Sequence, residues 1–289
     1  MIRVIANPVS GGGRARALAD ALRRELERQG QVVELLFTAK PGDAPVFAAR
    51  EGADCVVAVG GDGTANEVAN GLAASQARLA ILPVGAANVV ARELGLPRSP
   101  AGLAALIAAG STRTMDVGLF GERRFLLGAG AGLDAAVAEA VHHNRAGKKV
   151  RISSYVLPAL HTIASYAYPK VRVTVDGEML CEDGQYVVVG NCRRSAGIFA
   201  VTPEARIDDG LLDVCVLRNL TWTHLARLLA AVCRPGFARR KDVLYRQGKS
   251  VELFPAAEER VPLQVDGDPA GTLPAAFRIV PRALEVVAP

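Results

Sequence analysis

The stretch that most restricts this chain is V-V-A-V-G-G-D-G-T-A-N-E, residues 56–67. An apolar strand runs into three glycines, and a helix begins at once. Glycines at such a junction let the backbone turn sharply and approach a ligand without a Cβ in the way. The helix then points free N–H groups and the positive end of its dipole at the loop, which suits a phosphate. Asp62 runs against that logic, because its charge repels phosphate. It makes sense if it binds Mg²⁺, directly or through water, or if it accepts a proton.

Two more segments repeat the strand–loop–helix plan. Asn7-Pro8-Val9-Ser10-Gly11-Gly12-Gly13 follows the strand-like Arg3–Ala6, and Leu82-Pro83-Val84-Gly85-Ala86-Ala87-Asn88 follows the strand-like Leu79–Leu82. Between them the pattern predicts helices over Ala15–Gln29, Pro45–Glu51 and Asn88–Leu94, with further strands over Val32–Phe37 and Cys55–Val59. Ala65, Val68, Ala69 and Leu72 fall at i, i+3, i+4 and i+7, the stripe of an amphipathic helix. Alternation of this kind predicts a mostly parallel sheet covered by helices, with all three loops at the carboxyl ends of its strands.

The texture changes after Asp116. Lys170–Asp176, Gln185–Gly190, Leu211–Leu217, Ser250–Phe254, Pro262–Asp266 and Phe277–Val280 are short and rich in Val and Leu. Asp176-Gly177, Asp183-Gly184, Asp209-Gly210 and Asp266-Gly267 separate such runs, and D-G is a hairpin signal. This half reads as a β-sandwich with helices at Ala135–Val141, Ser154–Tyr166 and Trp222–Cys233. The domains expected are 1–117, α/β and nucleotide-binding, and 118–289, the sandwich, with the active site in the cleft between them. Gly128-Ala129-Gly130-Ala131-Gly132 lacks dinucleotide spacing and reads as a tight turn lining that cleft.

The 34 Lys and Arg against 29 Asp and Glu leave a formal charge of +5, which favours anionic partners such as nucleotides or acidic lipid headgroups. The basic stretches His142–Arg151 and Arg234–Arg246 suit either a solvated face or an anionic bilayer. They lack the interleaved aromatics of single-strand binders, so nucleic acid is not an expected partner. Five scattered cysteines without a C-x-x-C pair argue against a disulfide framework and for a reducing cytoplasm. Neither a charged leader nor an apolar run near the roughly 20 residues of a spanning helix is visible, so any membrane contact is expected from the side, at the inner face.

N-P-V-S-G at 7–11, G-G-D-G-T-A-N-E at 60–67 and P-V-G-A-A-N-V-V-A-R-E-L at 83–94 resemble the diacylglycerol kinase catalytic family, which includes sphingosine, ceramide and bacterial lipid kinases. M-D-V-G at 115–118, G-A-G-A-G-L-D-A at 128–135, D-D-G-L-L-D-V at 208–214 and V-D-G-D at 265–268 extend the resemblance over nearly the whole chain. It implies a Rossmann-like α/β domain, a C-terminal β-sandwich as in NAD kinases, and ATP bound between them. Asn7, Pro8, Val9, Ser10, Gly11, Thr38, Gly60, Gly61, Asp62, Gly63, Thr64, Ala65, Asn66, Gly85, Ala86 and Asn88 would meet the nucleotide. The resemblance makes Asp268, the last acid of the D-G-E-like turn, the proton acceptor; Asp266 and Asp62 remain alternatives. Asp62 and Asp116 would join an acidic network around catalytic Mg²⁺. Asp209, with the carbonyls of Arg206 and Leu211, would hold a structural Mg²⁺. The acceptor would be a hydroxyl of diacylglycerol or a related small molecule, and a homodimer is open because bacterial relatives are often dimers.

Two positions depart from the family pattern. Ala86 stands where a threonine is frequent and removes a hydroxyl that could hold phosphate. Asp268 stands for glutamate, setting its carboxylate one methylene back, and misplacement by about an ångström can cost on the order of 100-fold in rate. An NAD kinase shares the G-G-D-G-T loop, and a catalytically weak nucleotide- or lipid-binding homologue would tolerate both departures.

Overall fold

The computed structural model describes residues 1–145, 162, 165–194, 200–220, 240 and 243–289. The chain divides into two compact units, Met1–Val117 with Pro281–Pro289, and Gly118–Val280.

The first unit alternates strand and helix: β1 (Ile2–Ala6), α1 (Arg14–Arg28), β2 (Val33–Phe37), α2 (Asp43–Ala48), β3 (Cys55–Gly60), α3 (Asp62–Gly71), β4 (Arg78–Pro83), α4 (Val89–Glu93), α5 (Pro100–Ala109) and β5 (Thr112–Phe120). Its strands pair in parallel in the order β2-β1-β3-β4. Cys55, Val57 and Val59 of β3 turn toward α1 and α5, where Leu22, Leu26 and Leu103 are fully buried. Each such leucine contributes about 1.5–3 kcal/mol by burial. α3 packs on α2 so closely that a Cβ at Gly71 would lie 2.8 Å from Pro45 Cα. Ser99 caps α5 by accepting the Gly102 N–H at 3.1 Å, and Gly110 ends it in the left-handed conformation. The end of the chain returns to this unit: Val286 pairs in parallel with Leu79, and Ala288 N–H donates to Ser111 carbonyl at 3.2 Å.

The second unit is a β-sandwich built from β6 (Arg123–Phe125), β7 (Gly128–Gly132), α6 (Leu133–Arg145), β8 (Val171–Val175), β9 (Glu178–Gly184), β10 (Tyr186–Gly190), β11 (Leu212–Leu217), β12 (Val243–Gly248), β13 (Ser250–Pro255), β14 (Pro262–Val265), β15 (Asp268–Thr272) and the first half of β16 (Ala275–Val287). One antiparallel sheet runs β12-β11-β10-β7-β14-β15, and β16, β13, β8 and β9 pair in that order in the other. Alternate residues of both fill one core: Ala129, Val187, Val214 and Leu263 from the first sheet, Val173, Val251 and Phe277 from the second. Leu133 and Val137 of α6 pack on the other face of the first sheet, against Val188 and Cys215.

Two D-G pairs do form hairpins. Asp176-Gly177 joins β8 to β9 and Asp266-Gly267 joins β14 to β15, each with both residues at positive φ, as a two-residue turn of the I′ type requires. The other two correct the sequence reading. Asp183-Gly184 ends β9, where the chain leaves one sheet for the other, and Asp209-Gly210 lies in the turn before β11. Gly128–Gly132 is also corrected: it is strand β7, paired on both sides by β10 and β14, rather than a tight turn. Its glycines suit close approach, since a Cβ at Gly128 would lie 2.6 Å from Val189 carbonyl oxygen. The helix expected at Trp222–Cys233, nearly all of that at Ser154–Tyr166, and most of both basic stretches lie outside the described residues. Cys55, Cys181, Cys192 and Cys215 are buried and form no disulfide among the described residues, and no described helix is long and apolar enough to cross a membrane.

Candidate active site

In the first unit, β1, β3 and β4 end side by side, with Ala6 opposite Val59 and Gly60 opposite Pro83. The loops that follow are tied to those ends. Asn7 N–H donates to Val59 carbonyl at 3.1 Å, while Val84 and Gly85 N–H both donate to Gly60 carbonyl, at 2.8 and 3.3 Å. Thr38 N–H donates to Ala6 carbonyl at 3.0 Å, just past β2. All four segments expected to meet the nucleotide therefore gather on the carboxyl edge of one parallel sheet.

Asn7 closes its own loop: its side-chain oxygen accepts Val9 N–H at 3.2 Å across Pro8, and its carbonyl accepts Ser10 N–H at 3.0 Å, leaving Val9 exposed. Gly11 has φ of 61°, and a Cβ there would sit 2.6 Å from Val84 carbonyl oxygen. Gly85 approaches the central loop in the same way, since its Cβ would lie 2.7 Å from Gly61 Cα. Gly61 and Gly63 remain accessible, and Ala86 is exposed, whereas Thr64, Ala65 and Asn66 are buried in the first turns of α3.

Asp62 opens α3 and faces the start of α4. Its Oδ1 accepts Val90 N–H at 3.3 Å, and the amides of Asn88 and Val89 also bond to the carboxylate. Burial pushes the Asp62 carboxyl above its usual range, and those amides pull it back. Asn88 is left-handed, with φ of 48°, and its side-chain NH₂ donates to Gly85 carbonyl at 2.6 Å. Its Oδ1 is buried and has no partner. A buried acceptor without a donor is costly, and a nucleotide hydroxyl or amino group, or a metal-bound water, supplies such a donor. The loop cluster fits a nucleotide on that ground, and the Asp62 carboxylate fits a hard cation.

In the second unit the carboxylate of Asp266 turns inward. It accepts N–H bonds from Leu126 at 2.9 Å, Leu127 at 2.9 Å and Gly128 at 3.0 Å, and Asp266 N–H donates to Gly128 carbonyl at 2.8 Å. Burial pushes its carboxyl up to about 6, against the pull of those amides and of the Arg123 charge. The hairpin is thereby stitched to the β6–β7 connection. Asp268 behaves differently. It is exposed, and the Arg123 guanidinium stands 3.4 Å away while donating to Val265 carbonyl at 3.1 Å. Pro269 holds Asp268 extended.

Of the residues expected around metal, Asp116 is buried on β5 with its Oδ1 accepting Arg282 N–H at 2.7 Å. Asp209 Oδ1 accepts Leu211 N–H at 3.1 Å, and Arg206 pairs with Asp208 at 3.5 Å. Among the described residues no three His, Cys, Asp or Glu come together as metal ligands, so a cation at either place would draw on carbonyls, phosphate oxygens and water. Sequence reasoning missed Arg123, whose only local signal is an Arg pair opening the second half, and the pairing of the half-buried Asp134 with the buried Gln264.

Residues 1–120 match the diacylglycerol kinase catalytic domain, and residues 128–288 match the YegS C-terminal NAD kinase beta sandwich-like domain. The chain belongs to the diacylglycerol kinase catalytic-domain family. It is therefore a kinase, with the α/β domain and β-sandwich expected of that family. Similar proteins include a diacylglycerol kinase of Staphylococcus carnosus strain TM300, 27% identical over 99% of this chain and 94% of the relative. The diacylglycerol kinase of Staphylococcus aureus strain RF122 is 29% identical over 99% and 92%. Among solved structures, a candidate diacylglycerol kinase from Bacillus anthracis strain Sterne aligns with a TM-score of 0.81 at 25% identity, covering 100% of this chain and 95% of that one.

Proposed function

We propose that this kinase transfers the γ-phosphoryl group of ATP to a lipid hydroxyl, with diacylglycerol, the compound for which its relatives are named, as the first acceptor to test. The observation that carries the reading is the division of labour in the acidic turn: Asp266 is spent on three backbone amides, while Asp268 is left exposed. Asp268 is then the base that takes the proton from the acceptor hydroxyl, whose oxygen forms the new bond to γ-phosphorus as ADP leaves. The loops at Asn7–Gly11, Gly60–Gly63 and Gly85–Asn88, with Thr38 beside them, hold the nucleotide, their backbone amides meeting phosphate oxygens. Asp62 and Asp116 are the side chains to carry catalytic Mg²⁺, and Asp209, with the carbonyls of Arg206 and Leu211, a structural one. Bound there, Mg²⁺ neutralises phosphate charge. Residues 1–117 supply the nucleotide half and residues 118–289 the base. An acceptor of this kind resides in a bilayer, so the protein works in the cytoplasm and meets the membrane's inner face peripherally.

The test is a labelled-ATP assay with Mg²⁺ against a panel of diacylglycerol, phosphatidylglycerol, a sphingoid base and NAD. Label in a lipid product supports the reading, and label in NAD alone replaces it with NAD kinase activity. ATP binding by calorimetry with no transfer to any acceptor would make this a binding homologue. Asp62→Asn should abolish transfer while leaving a folded protein, and near-normal turnover in that variant would sink the role given to Asp62.

A further inference from the structure

The glycine-rich strand β7 has a use that the phosphoryl-transfer reading does not absorb. Gln264 on β14 pairs directly with Gly130 of β7, two residues before the acidic turn. Its side chain is buried, and its Nε2 donates to Asp134 Oδ2 at 2.7 Å. Its Oε1 accepts the N–H of Gly267, the second residue of the turn, at 2.7 Å. Both ends of the amide are used. The opposite orientation would set NH₂ against an N–H and a carbonyl oxygen against a carboxylate, so the two partners fix which way the amide points.

Asp134 stands in the first turn of α6 and also accepts the hydroxyl of Tyr186 on β10. Burial pushes its carboxyl above the usual range, opposed by the donors from Gln264 and Tyr186. A Cβ at residue 130 would land on Asp134 Oδ2 and lie 2.8 Å from Gln264 Nε2. Gly130 is therefore the gap through which α6 reaches β14. The register of β14 and β15 also shifts beside Gln264, from Leu263 opposite Gly271 to Gln264 opposite Pro269. Bulges of this kind re-aim side chains next to functional sites.

We propose that Gln264 and Asp134 are positioning residues, which together with Gly130 set where the Asp268 carboxylate stands. The turn is held from two sides. Asp266 binds it to the β6–β7 connection, and Gln264 ties the turn's second residue, Gly267, to a half-buried carboxylate on α6. Asp268 follows immediately, its backbone paired with Val265, and among the described residues its carboxylate meets the Arg123 guanidinium. Stability alone does not call for a half-buried carboxylate bonded to Gln264 and Tyr186 here, because apolar side chains of similar volume serve it as well. The arrangement is accounted for by placement.

The inference rests on the phosphoryl-transfer reading, so wild type is assayed first, with labelled ATP and mixed micelles containing diacylglycerol. Gln264→Met should lower kcat by about 10- to 100-fold with the ATP KM within about twofold, the signature of a misplaced reacting group. Asp134→Asn keeps an oxygen for Gln264 and should stay near wild type, whereas Asp134→Leu should match Gln264→Met. In an Asp268→Ala background, Gln264→Met should cost nothing further, because it acts through Asp268. A folded Gln264→Met with wild-type kcat, or a loss that adds in full to that of Asp268→Ala, overturns the proposal. Should Gln264→Met not fold, Gln264→Asn, which keeps the amide but shortens its reach, carries the same expectation. Amide exchange at Gly267, compared between wild type and variant, reads the geometry without turnover. Protection should fall by about tenfold or more with Gln264 removed, in line with loss of a hydrogen bond. Unchanged protection overturns the proposal even if wild type phosphorylates nothing in the micelles, an outcome that would separately remove the functional reading.

Discussion

The loop cluster of the first unit and the acidic turn of the second solve opposite problems. The cluster depends on atoms being absent: at Gly11 and Gly85 an added Cβ would meet neighbouring backbone within 3 Å. The turn depends on side-chain atoms being present, with Asp266 binding three amides and Gln264 a fourth. A phosphate needs backbone N–H groups brought close, and glycine supplies that access. A base needs one carboxylate held in one place, and that takes side chains around it. The first region should thus break on adding a methyl group, and the second on removing an oxygen.

Apart from the loss expected of Asp62→Asn, the largest effect should come from the turn. Asp268→Asn is expected to lower kcat by about 10²–10⁴-fold, the usual worth of a general base, with ATP binding and thermal stability unchanged. Asp268→Glu should stay active, since the longer acid is the family's usual residue at this place. Single-turnover transfer to diacylglycerol checks both variants, and an Asp268→Asn protein with near-wild-type transfer would pass the role of base to another acid. Next in size comes the loop cluster. Gly85→Ala places a Cβ 2.7 Å from Gly61 Cα and 3.0 Å from Asn88 Oδ1. Overpacking of this kind costs about 1–3 kcal/mol, so ATP affinity measured by calorimetry should fall roughly 10- to 100-fold. Unaltered affinity would show that this contact is not part of the nucleotide cradle.

Asp266→Asn sits between the two cases. It replaces one acceptor oxygen with an NH₂ group that faces backbone donors, and unsatisfied donors of this kind cost about 1–3 kcal/mol each. The variant should lose stability in chemical denaturation and some kcat with it, because the turn that carries Asp268 comes loose. A stable variant with full activity would mean that the stitch to Leu126–Gly128 is not what places Asp268.

The same contrast explains what could be read from the sequence. In the cluster the information is local. A strand, a run of glycines and a helix sit within a dozen residues, and repeating that pattern at 7–13, 60–67 and 83–88 implies parallel strands with all three loops at one edge. In the second unit the information is spread along the chain. Asp266 finds its partners about 140 residues away, and Asp134 meets Gln264 across 130. Nothing near Asp134 announces that meeting. Gly128–Gly132 misleads for a related reason: glycines are poor strand formers alone, and this strand exists because β10 and β14 pair with it on both sides. Asp183-Gly184 carries a true turn signal, yet whether a chain pairs back or crosses to the facing sheet is decided by the second sheet, which the dipeptide does not contain.

The smallest expected effect separates stability from placement within the second unit. Asp213 on β11 is buried and accepts bonds from the Tyr245 hydroxyl and from Gln247, with β10 between its strand and β7. Burial pushes its carboxyl up to about 6, helped by the charges of Asp209 and Glu204 and opposed by those two donors. The folded state therefore holds this proton more tightly than the unfolded chain, where an aspartate titrates near about 3.9. The stability it contributes is fully present below about pH 4 and is lost as pH rises through about 6. Asp213→Asn is neutral throughout and keeps an oxygen for Tyr245 and Gln247, so it should flatten the fall in unfolding free energy between pH 4 and about 6.5. Urea denaturation across that range, with a chelator present so that no cation competes at Asp209, measures the slope. An unchanged slope would put the titration elsewhere. Because Asp213 does not touch the acidic turn, kcat at neutral pH should hardly move, whereas Asp266→Asn changes stability and kcat together.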